Sequence, residues 1–160
     1  RPDLVSALIL ARPAWVTDAA PTNMAPNALV GDLLRFHPAN TARALFEATS
    51  TATLLARVAP DNLASLRGFF TRGPADVTAA LLCRISADGP GVTPDDLAQI
   101  AVPTLIIGTD QDFVHPLDHA RKLAGMIAPS RLVEITPKGA DPTAYQAAFQ
   151  DALIHFLKGL

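Results

Sequence analysis

The chain has little of what would mark it for an oxidising compartment, a membrane or a nucleic acid. It contains one cysteine, so no disulfide can form within the chain, and we expect a cytoplasmic protein. Its 13 basic and 15 acidic residues are interspersed and give a net charge of −2, which predicts neither nucleic-acid nor anionic-membrane partners. No apolar run approaches the roughly 20 residues that a membrane span needs.

The amino terminus carries no recognisable targeting segment. Arg1 and Asp3 precede an apolar run that is more typical of a strand than of a signal peptide. A start at arginine rather than methionine suggests truncation or processing. With 160 residues, 49% of them hydrophobic, the chain is long enough for one domain with a substantial core.

The stretch Ala101–Pro116, AVPTLIIGTDQDFVHP, organises the rest of the chain. The uninterrupted apolar run from Thr104 to Ile107 predicts a strand buried on both faces, as in parallel sheets. We expect Gly108 to end this strand, which places Asp110 and Asp112 on a loop at its carboxyl end. Ligands and catalytic groups of open α/β sheets gather at such loops.

The remaining pattern predicts an α/β protein: part of a doubly wound, mostly parallel sheet with an inserted set of helices. Residues 1–17 contain a strand, Leu4–Leu10, and residues 101–160 contain the central strand, the acid loop, a last strand and a terminal helix. Residues 18–100 between them show helical periodicity punctuated by proline and glycine. These helices form either an inserted cap or the remainder of a mixed α/β domain.

PTLIIGTDQDFVHP resembles the late strand and acid loop of the α/β-hydrolase family, which commonly has P-T-L, two apolar residues, glycine and then D-x-x-x-P. Asp112, four residues before Pro116, matches the acid of the family's catalytic triad. The following RLVEIT and the terminal helix match the end of the family's fold in order and length. The resemblance is good over residues 101–160 and loose over residues 1–17. It implies that residues 18–100 are a cap or lid that excludes water and selects the substrate.

Two parts of the family's machinery are missing from the chain. No G-x-S-x-G nucleophile motif occurs, and in the family's order the nucleophile would precede Arg1. The resemblance therefore implies the carboxyl-terminal half of a longer protein, with the amino-terminal half or a second copy of the chain covering an exposed sheet edge. The family's histidine is also absent, because the last strand leads into Pro137-Lys138-Gly139. An exposed lysine, with a pKa near 10.4, is a poor base at neutral pH.

His115 is a candidate to replace the missing histidine, because it follows Asp112 on the same loop and an acid can hold and orient an imidazole. Alternatively, His115 only packs beside Pro116, and His119 faces solvent. The histidines and acids near this loop show no compact metal-binding spacing, so we expect no metal and no cofactor. Cys83, on the apolar stripe of a predicted helix, is expected to be a buried structural thiol.

The function that the resemblance implies is hydrolysis of an ester, amide or similar bond in a small molecule, by a nucleophile-histidine-aspartate mechanism. Four aromatic residues are candidates for an apolar substrate pocket: Trp15, Phe69, Phe70 and Phe113. Trp15 is otherwise a rim residue that packs on a loop. The alternative function is a catalytically inactive hydrolase-fold protein used for ligand binding or assembly, and a third is an unrelated small α/β domain whose sheet edge is covered by a partner.

Overall fold

A computed structural model of the protein describes residues 2–160 and divides them into two compact units. Residues 2–17 and 91–160 form the sheet unit, and residues 18–90 form the helical unit. The sequence placed the second boundary after residue 100, ten residues later than the structure does. The reason is the short helix α6 (Pro94–Ala98), whose Leu97 packs in the core of the sheet unit beside Ile106 and Leu123.

The sheet unit is built on three parallel strands in the order β1 (Leu8–Ala11), β2 (Thr104–Thr109) and β3 (Ser130–Ile135). Leu8 is opposite Thr104 in the register, and Thr104 is opposite Ser130. All six residues of the central strand β2 are buried. A parallel strand covered on both faces needs such a continuous apolar run, so the α/β class expected from the sequence is confirmed.

Helices cover the two faces of β2. Because side chains alternate along a strand, Ile106 packs on one face with α7 (Leu117–Met126), whereas Leu105 and Ile107 pack on the other with α8 (Pro142–Leu157). Two helix starts follow the expected capping chemistry. Thr93 and Asp96 form a reciprocal capping box at α6, and the Asp141 carboxylate accepts from two backbone amides at the start of α8.

Gly108 does not end the central strand, contrary to the expectation from the sequence. The strand continues to Thr109, and Gly108 is the point at which α7 approaches the backbone most closely. A Cβ atom at this position would lie 2.6 Å from Leu117 Cδ1 and 2.9 Å from Ala120 Cβ. The glycine is therefore required by helix-on-strand packing rather than by a turn.

The helical unit contains five helices: α1 (Ala25–Phe36), α2 (Ala39–Glu47), α3 (Ser50–Val58), α4 (Pro60–Phe69) and α5 (Ala75–Ala87). The α1 and α5 helices pack closely, because Gly31 of α1 lies against Cys83 of α5. Asn40, a residue type favoured at helix caps, lies inside α2, and Pro38 occupies the cap position without a side-chain bond.

The buried face of α5 differs from the one that its apolar residues predict. Val77 and Leu81 are 59% and 54% exposed, whereas Thr78 and Ala79 are buried with Leu82. Small side chains on the buried face let α1 come close at Gly31, and the larger aliphatic residues are consequently left outside. Within residues 2–160, no helix combines the length and the apolar character needed to cross a lipid bilayer.

Candidate active site

The acid loop and the residue after β1 meet at the carboxyl edge of the sheet. Asp112 lies three residues beyond the end of β2, and Arg12 directly follows β1. The two strands are parallel neighbours, with Ala11 opposite Ile107, and the Arg12 backbone N–H donates to the Ile107 carbonyl at 2.8 Å. Adjacent parallel strands end at the same edge, so side chains 100 positions apart in sequence come into contact.

Asp112 and His115 form a hydrogen-bonded pair within the loop. The Asp112 side chain is 4% exposed, and its Oδ1 accepts from the His115 backbone N–H at 3.0 Å. Nδ1 of the His115 ring lies 3.1 Å from Oδ1 and 3.2 Å from Oδ2 of the same carboxylate. A carboxylate only accepts, so these contacts favour the tautomer with the proton on Nδ1. The lone pair of Nε2 is then available to accept a proton, which is the state that a general base requires.

Arg12 binds the other oxygen of the same carboxylate. Its Nε donates to Asp112 Oδ2 at 2.7 Å, and its Nη2 is ion-paired with that oxygen. Nη2 also lies 3.4 Å from Nδ1 of His115. The Arg12 side chain is 30% exposed, so this is a partly buried ion pair joined to a histidine.

These contacts keep Asp112 ionised. Burial by itself raises the pKa of the carboxyl, but the hydrogen bonds from His115 and the nearby charges of His115 and Arg12 outweigh it and lower the pKa of Asp112 to about 2. Burial likewise opposes the charge of Arg12, yet its contacts with Asp112 and Tyr145 raise the pKa of the guanidinium. The site therefore holds a fixed negative carboxylate and a fixed positive guanidinium.

The backbone on both sides of this cluster is in the left-handed region. The φ angle of Arg12 is 51° and that of Gln111, which precedes Asp112, is 58°. Non-glycine residues reach this region at a cost of about 1–3 kcal/mol, and such strain tends to occur at functional sites. The surrounding contacts thus hold two loops in conformations that the isolated chain would avoid.

Comparison with solved structures assigns the fold. The chain superimposes on the structure of MenH from S. aureus with a TM-score of 0.63 and 19% identity, over 97% of this chain and 59% of that one. The enol-lactonase from Burkholderia xenovorans LB400 gives 0.58 and 24%, over 98% and 57% of the two chains. A hydrolase from Pseudomonas aeruginosa PA01 gives 0.57 and 22%, over 98% and 57%. The chain has the α/β-hydrolase fold.

The match to the α/β-hydrolase fold is partial in extent, because the chain spans less than three-fifths of the length of these solved structures. No protein-family model and no curated protein matches the sequence. At these identities the likeness establishes the fold and carries no residue roles.

In the α/β-hydrolase fold the loop after the last strand usually provides the histidine, and here this loop contains an exposed Lys138 in a turn after β3. His119, one turn into α7, has its Nδ1 3.0 Å from the Ala14 carbonyl oxygen. Asp110 is exposed. Of the histidines in the described part of the chain, His115 is the one that the structure pairs with Asp112 through its ring.

The four predicted pocket residues lie in two different units. Trp15 and Phe113 are half-buried in the sheet unit, on the loops that also carry Arg12 and Asp112. Phe69 and Phe70 belong to the helical unit. The Arg72 guanidinium lies 4.7 Å from the ring centroid of Phe69, whereas Phe70 is 5% exposed and packs on Phe46. The ring of Phe70 thus contributes to the core of the helical unit and presents little surface to a ligand.

Residues 2–160 contain no cluster of three or more His, Cys, Asp or Glu side chains that could hold a metal ion. Cys83 is half-buried, with its Sγ 3.5 Å from Oδ1 of Asp32. Burial and the Asp32 hydrogen bond raise the pKa of this thiol, which disfavours the reactive thiolate.

Sequence reasoning missed the role of Arg12 in this site. Arg12 was not among the residues that the sequence connected with Asp112. The usable signal is the pairing of two parallel strands: a basic residue directly after one strand and an acid shortly after its neighbour are expected to meet.

Proposed function

We propose that this chain is the carboxyl-terminal portion of a hydrolase that cleaves an ester, amide or similar bond in a small molecule. The nucleophile would be outside these 160 residues, as the absence of G-x-S-x-G and the partial coverage of related structures suggest. Asp112 would orient the base, and His115 would be that base. The observation that carries the proposal is the contact between His115 Nδ1 and the buried, ionised Asp112 at the carboxyl edge of the sheet.

In this mechanism His115 accepts a proton from the nucleophile through Nε2 and later returns it to the leaving group. Asp112 stabilises the imidazolium that forms between these two steps. Trp15 and Phe113 would line the substrate pocket of the sheet unit, and the helical unit would act as a cap. No cofactor takes part in the proposed reaction.

Exposed apolar side chains on and before the edge strand β1 support the proposal that a partner extends the sheet. Ile9 of β1 is 37% exposed, and the preceding Leu4 and Val5 are 70% and 44% exposed. In the proposal, either the remaining strands of the parent protein or a second copy of the chain extends the sheet along β1. A stable monomer of this chain alone in gel filtration would contradict the second arrangement.

The test is intact-mass spectrometry of the natively produced protein with a fluorophosphonate probe, which labels activated serines. The wild type is expected to gain one adduct. His115→Gln and Asp112→Asn are expected to slow labelling at least about 100-fold, since general-base catalysis contributes about 10²–10⁴. The matched control is His155→Gln, because His155 is exposed on α8 and its ring Nδ1 contacts the Asp151 carbonyl of the same helix. It should label at the wild-type rate.

Two results would contradict the proposal. An unlabelled wild type would overturn the serine-hydrolase mechanism, and labelling of His115→Gln at the wild-type rate would remove His115 from the mechanism. The first result favours the second candidate function, ligand binding by a hydrolase fold without catalysis. One observation supports that candidate: the lysine in place of the usual histidine.

A further inference from the structure

The two oxygens of Asp112 share the His115 ring Nδ1, at 3.1 and 3.2 Å, but differ in their other contacts. Oδ2 accepts from Arg12 Nε at 2.7 Å, whereas Oδ1 accepts from the backbone N–H of His115 at 3.0 Å and lies 3.1 Å from its ring Nδ1. Arg12 is a partner from outside the acid loop, and its contact with Oδ2 adds to the restraint that His115 places on the plane of the carboxylate. The orientation that His115 receives from Asp112 therefore depends in part on the contact that Arg12 makes.

Arg12 is itself anchored independently of the acid loop. Its backbone N–H donates to the Ile107 carbonyl of β2, and Tyr145 of α8 helps to raise the pKa of its guanidinium. Its backbone is in the left-handed region, which an arginine adopts only where the surroundings impose it. The pairing of β1 with β2 thus fixes the position of the Arg12 backbone.

Arg12 also supplies the counter-charge to Asp112. Without it, a carboxylate that is 4% exposed would depend on the histidine to balance its charge. The charges that lower the pKa of Asp112 are those of His115 from the same loop and Arg12 from the end of β1, and Tyr145 from α8 acts on Arg12. With Arg12 present, the cluster is neutral while the His115 ring is neutral, which is the form that a base needs.

We propose that Arg12 is a positioning residue of the site: it orients the Asp112 carboxylate through Oδ2 and balances its charge, so that Oδ1 can hold His115 in the tautomer with Nε2 unprotonated. This inference rests on the proposed hydrolase function for its consequence on rate. Its structural part can be measured without any activity.

The experiment compares Arg12→Gln, Arg12→Lys and the wild type of the natively produced protein. Arg121→Gln is the matched control, because Arg121 is exposed and pairs with Glu134 on the surface of the same unit. Carbon-13 NMR follows the titration of Asp112, and nitrogen-15 NMR of the His115 ring reports the tautomer. The rate of fluorophosphonate labelling against pH reports the chemistry.

Arg12→Gln should raise the pKa of Asp112 by about one unit or more, since an opposite charge at this distance lowers a carboxyl pKa by about 1–3. It should also replace the single His115 tautomer by a mixture and slow labelling at least about tenfold. Arg12→Lys keeps the charge without the planar fork. It should preserve the low pKa of Asp112 while recovering only part of the labelling rate and of the tautomer preference. Arg121→Gln should match the wild type.

An unchanged Asp112 titration and His115 tautomer in Arg12→Gln would overturn the positioning role, even if labelling slowed. If Arg12→Gln does not fold, Arg12→Lys is the deciding variant. A wild-type His115 tautomer and a wild-type labelling rate in Arg12→Lys would overturn the proposed role of the planar guanidinium. A wild type that shows the expected tautomer but takes no probe would refute the hydrolase function separately, and the NMR shifts in Arg12→Gln would still support the coupling of Arg12 to Asp112.

Discussion

Because Asp112 is ionised in the folded state, the stability of the protein should depend on pH over a limited range. The variant Asp112→Asn can show which part of this dependence comes from Asp112. Contacts with His115 and Arg12 overcome the effect of burial and lower the pKa of Asp112 from 3.8 to about 2. A shift of nearly two units, at about 1.4 kcal/mol per unit, corresponds to roughly 2–3 kcal/mol of stability. The side chain is 4% exposed, so solvent screening does not reduce this figure substantially.

The direction of this pH dependence follows from the lowered pKa of Asp112. The folded state holds the carboxyl at a lower pKa than the unfolded state, so the stabilisation is fully present above pH 3.8 and is lost as the pH falls through about 2. In Asp112→Asn the stabilisation is absent at every pH, and Arg12 is left partly buried without its carboxylate. We therefore expect this variant to be less stable than the wild type by roughly 2–4 kcal/mol at neutral pH.

The assay is urea unfolding of the wild type and Asp112→Asn at several pH values between 2 and 7. The difference in unfolding free energy should be constant above about pH 4 and should shrink by roughly 2 kcal/mol towards pH 2. Asp110→Asn serves as the control, because Asp110 is an exposed acid on the same loop, and it should follow the wild type. A difference between wild type and Asp112→Asn that stays constant down to pH 2 would refute the ion-pair reasoning.

Close packing at two glycines gives further predictions. Gly108→Ala places a Cβ 2.6 Å from Leu117 Cδ1 and should lower the unfolding free energy by about 1–3 kcal/mol, whereas Gly125→Ala, in α7, meets open space and should be neutral or stabilising by up to about 1 kcal/mol. Equal effects of the two in urea unfolding would contradict the close approach of α7 to β2. Gly31→Ala places a Cβ 2.8 Å from Cys83 Sγ and should speed amide hydrogen exchange in α1 and α5; unchanged exchange would show that these helices are not in close contact.

Much of the fold could be predicted because local chemistry specifies it. The unbroken apolar run of β2 requires cover on both faces, and the capping residues before α6 and α8 mark those helix starts with their own hydrogen bonds. The PTLIIGTDQDFVHP segment carried the resemblance to the α/β hydrolases, and the solved structures confirm that fold. The Asp112–His115 contact was within reach of the sequence because the two residues are only three positions apart.

By itself, then, the sequence determined the properties that depend on neighbours along the chain: the order of strands and helices, the caps, the buried central strand and the acid loop. Tertiary structure alone decided the contacts between distant segments. Arg12 meets Asp112 only because β1 and β2 pair in one register, and Gly108 is needed only because α7 packs on β2. Likewise, the exposed aliphatic face of α5 follows from the close approach of α1, which helical periodicity cannot show because it counts apolar residues and not the space available to them.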